Sequence, residues 1–298
     1  MIHYHGKNKK KHYFEGWYLK HVKNGYSIAF IPAVHIDGNG RKTASMQIIT
    51  NDQTYHIDIG EGQFFAAKNR FFVKTDNTKI SEKGMIINIR TEDVTVTGRI
   101  KYHKFTPLNY NIMGPFALVP FMQCNHGVLS MYHTITGKVK INGKVYDFND
   151  GYGYIEKDYG CSFPETYFWT QCCFLDYRPC SVMLSVADIP FPGKAFTGCI
   201  GVVLYRGREY RFATYLGVKI IKYTKEEVIL EQKNICLRVN VSHEIEWNTS
   251  HSLKAPDKGN MTRTIQECIA GSVRYRFYID GRMCFDKVSN KASIEIMI

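Results

Sequence analysis

Short runs in which apolar and polar residues alternate, each closed by a turn-forming pair, recur along nearly the whole chain and point to β-structure. Tyr26-Ser-Ile-Ala-Phe-Ile, Tyr55-His-Ile-Asp-Ile, Val94-Thr-Val-Thr and Gly137-Lys-Val-Lys-Ile have the period of two that sends successive side chains to opposite faces of a sheet. The pairs Asp37-Gly38, Asn39-Gly40, Asn142-Gly143, Arg206-Gly207 and Asp280-Gly281 stand where hairpins need them. Helical periodicity is nearly absent, and the aromatic share of 14%, carried by 20 Tyr and 18 Phe, suits strands. The expected fold is all-β, a meander of antiparallel strands closed into barrels or sandwiches.

Similar patterns return at an offset of roughly half the chain, as an internal duplication would give. Trp17-Tyr-Leu-Lys and Ser27-Ile-Ala-Phe-Ile-Pro are echoed by Trp169-Thr-Gln-Cys and Ser181-Val-Met-Leu-Ser-Val. Tyr55 has a counterpart in Tyr210, and Asn142-Gly-Lys-Val-Tyr-Asp-Phe one in Asp280-Gly-Arg-Met-Cys-Phe-Asp. Two related β-domains are expected, residues 1–150 and 151–298.

Several function classes lack support. The chain has no GxGxxG before a helix, no GxSxG elbow and no HExxH, which leaves nucleotide enzymes, serine hydrolases and zinc proteases without their motifs. No redox or nucleotide cofactor is expected, and no metal site, because His3, His5 and His12 have no thiolate or carboxylate at matching spacing. Nine cysteines without a CxxC pair suit reduced thiols, and no run of eighteen apolar residues or signal-peptide pattern appears, so a cytoplasmic location is expected. The net charge of +12 is scattered except for Lys7, Lys9, Lys10 and Lys11. That distribution suits transient contact with a membrane surface better than specific nucleic-acid binding.

The segment Asp150–Phe174 concentrates the residues that can carry chemistry. On a strand, Tyr154, Glu156 and Asp158 share a face, and two neighbouring carboxylates can divide their protonation so that one serves as an acid near neutral pH. The alternative is a solvated, salt-bridged face. Tyr167, Trp169 and Gln171 share a face too, giving either an aromatic ligand wall with one orienting amide or a plain core stripe. Glu15 and Trp17 sit together near the N-terminus, and an inward Glu15 must be paired or working. His133 falls among apolar residues, as an acid, a base or a satisfied core histidine.

Phe14-Glu-Gly-Trp-Tyr-Leu-Lys, Gly114-Pro-Phe, Met131-Tyr-His133, Gly153-Tyr-Ile-Glu-Lys-Asp-Tyr-Gly, Phe163-Pro and Trp169-Thr-Gln171 together resemble the tocopherol cyclase-like family. The closing Phe285-Asp-Lys-Val-Ser-Asn-Lys-Ala-Ser-Ile-Glu295 is similar to that family's end. The resemblance implies two lipocalin-like domains and ring closure without a redox cofactor, in which an acid protonates a prenyl double bond and a phenol oxygen adds to the cation. It implies Glu156 or Asp158 as the acid. His133 and Gln171 would orient the hydroxyl, and Trp17, Tyr154 and Trp169 would line the pocket of a lipophilic small molecule. A non-catalytic carrier of such a molecule is the other reading.

Overall fold

The computed structural model describes every residue except 1–2, 24, 61, 121, 176–178, 191–192, 194 and 244–250. The first four strands, β1 (Tyr13–Lys23), β2 (Tyr26–Ile36), β3 (Lys42–Ile49) and β4 (Thr54–Ile59), form an antiparallel meander. A second run of shorter strands follows: β5 (Phe64–Ala66), β6 (Phe72–Thr75), β7 (Thr78–Ser81), β8 (Gly84–Arg90) and β9 (Thr95–Tyr102). The long β10 (Cys124–Ile141), the short β11 (Lys144–Asp147) and β12 (Gly151–Gly160) complete the first sheet. Its order is β4-β3-β2-β1-β12-β10-β9-β8-β7-β6-β5, with β11 beside β10.

The second sheet begins with β13 (Tyr167–Phe174), β14 (Cys180–Ile189), β15 (Phe196–Tyr205) and β16 (Arg208–Ala213). It continues with β17 (Lys219–Tyr223), β18 (Glu227–Gln232), β19 (Ile235–Val241), β20 (His251–Asp257), β21 (Asn260–Ile279) and β22 (Arg282–Met297). Its order is β16-β15-β14-β13-β22-β21-β19-β18-β17, with β20 beside β21. The protein is thus all-β, two lipocalin-like antiparallel sheets built on one repeated plan: a four-strand meander whose first strand is zipped to the last strand of its own sheet. Among the described residues no helix is long and apolar enough to cross a membrane.

The turns follow their backbone chemistry. Asn142-Gly143, Arg206-Gly207 and Asp280-Gly281 each have both φ angles positive, between 46° and 87°, which the tightest hairpin turns require. Asp37 acts differently: its Oδ1 accepts from the backbone N of Asn39 and of Arg41, organising a longer loop before β3.

Two expectations change. A boundary at residue 150 would give β12 to the second domain, yet β12 pairs along its length with β1 and β10. The compact units are residues 1–111 with 124–163 and 253–264, and residues 112–123 with 164–252 and 265–298. Turn residues mark where a strand starts, not which sheet it joins, and Asp150, at φ 62°, is one more turn. The Trp17–Trp169 equivalence is off by one. In the ladders Phe30 faces Leu19 and Leu184 faces Thr170, so with Ser27 matched to Ser181 the counterpart of Trp17 is Phe168. Burial agrees: Trp17 belongs to the first core with Leu19, Ile28, Phe30 and Ile155, and Phe168 to the second with Val182, Leu184 and Ile294. Each such buried side chain contributes roughly 1.5–3 kcal/mol by leaving water.

Candidate functional site

β12 runs between β1 and β10, so both its faces are flanked by side chains of the two neighbours. Ile155 and Lys157 turn to the first core's side with Leu19 and Trp17, their ladder partners. Tyr154, Glu156 and Asp158 occupy the other face by simple alternation. On β10, His126 stands opposite Asp158 and Val128 opposite Glu156, which brings an imidazole between two carboxylates.

His126 Nδ1 is 2.6 Å from Asp158 Oδ1, and His126 Nε2 is 3.1 Å from Glu156 Oε2, close enough for an ion pair though poorly aligned for a hydrogen bond. Tyr154 donates its hydroxyl to Glu156 Oε2 at 2.5 Å. Exposure is graded, with 5% of the Glu156 side chain, 10% of His126 and 20% of Asp158 reached by solvent. Burial opposes a charge on His126, but the carboxylates of Asp158 and Glu156 outweigh it and hold the imidazole's proton affinity well above the ordinary value. Burial raises the proton affinity of Glu156, and the nearby Asp158 adds to the rise against the pull of His126 and the Tyr154 hydrogen bond. The arrangement favours protons at both groups: Asp158 is the larger support for the His126 charge, and burial resists ionisation of Glu156 beside it.

One ligand atom from each of His126, Glu156 and Asp158 lies within 4.8 Å of the others, so a bound cation has to be considered. The donor directions do not suit one. Each carboxylate addresses a different ring nitrogen, whereas a metal on one nitrogen needs both carboxylates on that side of the ring. Nearby Cys124 adds no thiolate, because burial, and then the charges of Asp158, Cys161 and Glu156, push its thiol up.

The remaining expected site residues fall elsewhere. Glu15 and Trp17 lie on the opposite face of the first sheet from Glu156 and do not join it. Glu15 accepts from His5 N at 2.9 Å, Gly6 N at 3.1 Å, Tyr13 Oη at 2.6 Å and Lys157 Nζ at 2.7 Å. Lys157 Nζ also donates to His3 O at 2.6 Å and lies 5.6 Å from the centre of the Trp17 ring. Burial raises the Glu15 proton affinity, but His5 and Lys157 outweigh it and hold its carboxyl below the usual range. This pair fastens the N-terminal residues to β1 and β12, and its acceptor positions are taken.

His133 also turns to the core side. Its Nδ1 is 3.1 Å from Ser130 Oγ, its ring packs on Tyr102 and Phe105, and burial lowers its pKa to about 3. It is a neutral core histidine, separated from Glu156 by the thickness of the sheet. Trp169 and Gln171 are buried in the second unit on β13, on the face away from the second core. Gln171 Nε2 donates to Cys173 Sγ at 3.2 Å.

Sequence reasoning missed His126. Cys124-Asn-His-Gly looks like a turn, and two irregularities in the β10–β12 register, at Val128/Ser130 and Ser130/His133, reset the face on which later residues stand. The two shifts cancel, leaving His126 and His133 on opposite faces; what gives His126 its role is its ladder partner Asp158, 32 residues further along, and that pairing is not a local property of the sequence.

The chain matches the family described as tocopherol cyclase-like over residues 112–297, a span that includes His126, Tyr154, Glu156 and Asp158. It is 24% identical over 201 residues to a probable chloroplastic tocopherol cyclase of Oryza sativa subsp. japonica, covering 61% of this chain and 41% of that relative's length. In fold it is similar to CghA, solved with Sch210972, at TM-score 0.58 and 7% identity, over 95% of this chain and 88% of the other. It is also similar to kievitone hydratase from Nectria haematococca, at TM-score 0.50 and 10% identity, with the same coverage of 95% and 88%. At these identities the two structures speak for the fold alone.

Proposed function

The chain belongs to the tocopherol cyclase-like family, and on that premise we propose that it is a cofactor-free, acid-catalysed cyclase, an intramolecular lyase or isomerase. Its substrate is a lipophilic prenylated phenol, terpenoid or polyene. The observation that carries this reading is the buried Glu156 beside the His126 imidazolium.

In the proposed reaction Glu156 gives its proton to one carbon of a substrate double bond, and the other carbon becomes cationic. A substrate hydroxyl, or a second double bond, adds to that carbon and closes the ring. The proton released by the addition returns to the Glu156 carboxylate, so the protein ends as it began. The Glu156 charge that appears midway is met by the Tyr154 hydroxyl and the His126 cation, both already in position, which is where electrostatic catalysis is strongest. Asp158 keeps His126 cationic from the far side of the ring. The name of the rice relative, a probable tocopherol cyclase, supports a ring closure.

The test is Glu156→Gln, which keeps the shape and removes the acid. Screened against prenylated phenols and polyenes, the variant should bind as tightly as the parent and lose turnover by roughly 10²–10⁴-fold, the usual contribution of a general acid. Turnover unchanged by this substitution would remove the mechanism. Binding without turnover in the parent would leave a carrier.

A further inference from the structure

We propose that one end of the second unit docks on an anionic lipid bilayer. Three hairpin turns lie there: Arg206-Gly207 between β15 and β16, Lys233-Asn234 between β18 and β19, and Asp280-Gly281 between β21 and β22. The last two are tied together, with Asp280 N donating to Asn234 O at 2.8 Å and Asn234 Nδ2 to Asp280 Oδ1 at 3.0 Å. Between the first and third opens a groove of about 500 Å³ lined by Tyr205, Arg206, Arg208, Tyr210, Ile279 and Met283.

The charge on this end is one-sided. Arg206, Arg208, Lys233 and Arg282 are exposed, and none of them is in an ion pair among the described residues. Of the nearby acids, Glu209 is engaged by Arg211 and Asp286 by Arg274, which leaves Asp280 and the exposed Glu231 against four bases. Arg206 lies over the Tyr205 ring, 5.2 Å from its centre, and the stacking holds its guanidinium plane at the groove. Beside these bases Met283 is 58% exposed, and Leu175, at the close of β13 on the same end, is 57% exposed. Arginines that meet phosphates bidentately, around an apolar side chain free to enter the interface, are what an anionic bilayer surface selects. RNA fits less well. Stacking on bases needs open aromatic faces, whereas Tyr205 is engaged through its hydroxyl with Cys284 O and packs its ring on Phe277 and Phe285. A bilayer is also where a lipophilic substrate would be met.

The full chain, sedimented with vesicles of phosphatidylcholine alone or mixed with phosphatidylglycerol, should partition only onto the mixed vesicles and leave them as salt is raised. Losing two bases should weaken partitioning roughly thirtyfold, at about fivefold for each charge near the surface. Arg206→Ser with Arg208→Ser supplies that variant, and Met283→Ser should weaken it further. These residues are exposed, so thermal melts should match the parent and exclude misfolding. Replacing Lys7, Lys9, Lys10 and Lys11 by Ser is the comparison and should leave partitioning nearly intact. Three results would overturn the proposal: no partitioning onto mixed vesicles, partitioning that follows the four lysines and ignores the arginines, or capture of RNA in place of vesicles.

Discussion

Burial and two neighbouring charges act on Glu156 in opposite directions. Loss of water and the charge of Asp158 favour the protonated carboxyl, while His126 and Tyr154 favour the carboxylate, and the net effect raises the proton affinity of Glu156 above the ordinary value. An acid poised in this way has a defined pH signature. Activity requires Glu156 protonated, so the rate should be level below its raised pKa and fall as pH climbs through it. His126, held well above the ordinary imidazole value, keeps its charge across that window. A pH–rate profile of kcat checks this, and a rate that rises with pH would assign Glu156 the role of a base.

At the scale of strands, β12 is the element on which the molecule turns, carrying the acid cluster on one face and Lys157 on the other. The inner pair has its own consequence. Glu15 and Lys157 are both fully buried, and removing one charge strands the other without solvent. Glu15→Gln should therefore cost about 3–5 kcal/mol in denaturant unfolding, with a double replacement by apolar residues recovering much of the loss. A cost near zero would mean that the N-terminal residues can leave Lys157 to water. The strands themselves were legible in the sequence, because alternation and paired turn residues are local properties. The pairing of Tyr154, Glu156 and Asp158 on one face followed from the same period, and so did the shared face of Glu15 and Trp17. Facts that depend on which strand lies beside which were not legible. His126 meets Asp158, 32 residues away in sequence, only because β10 lies beside β12. Glu15 and Trp17 look like pocket residues until the ladder shows that they back onto the acid face. The Trp17–Trp169 match failed for a related reason, since a slip of one residue exchanges the faces of a strand.

The whole molecule links stability to pH through buried histidines. Burial lowers His21 and His133 to about 3 and, with help from His56, His35 to about 4. In the unfolded chain each binds a proton near pH 6.5, and in the folded chain not until pH 3–4. Stability is therefore fully present above pH 6.5 and lost as pH falls, by up to about 1.4 kcal/mol per pH unit for each histidine. Melting temperature should drop steeply between pH 6.5 and 4; a flat profile would mean that these rings titrate in place. Activity is then bounded on the acid side by unfolding and on the alkaline side by Glu156, and the central claim concerns that second boundary. Infrared difference spectroscopy of the parent against Glu156→Gln at neutral pH reads the carboxyl directly, without a substrate. The expected result is the carbonyl band of a protonated carboxylic acid, present in the parent and missing from the variant. A carboxylate band in its place would contradict the account.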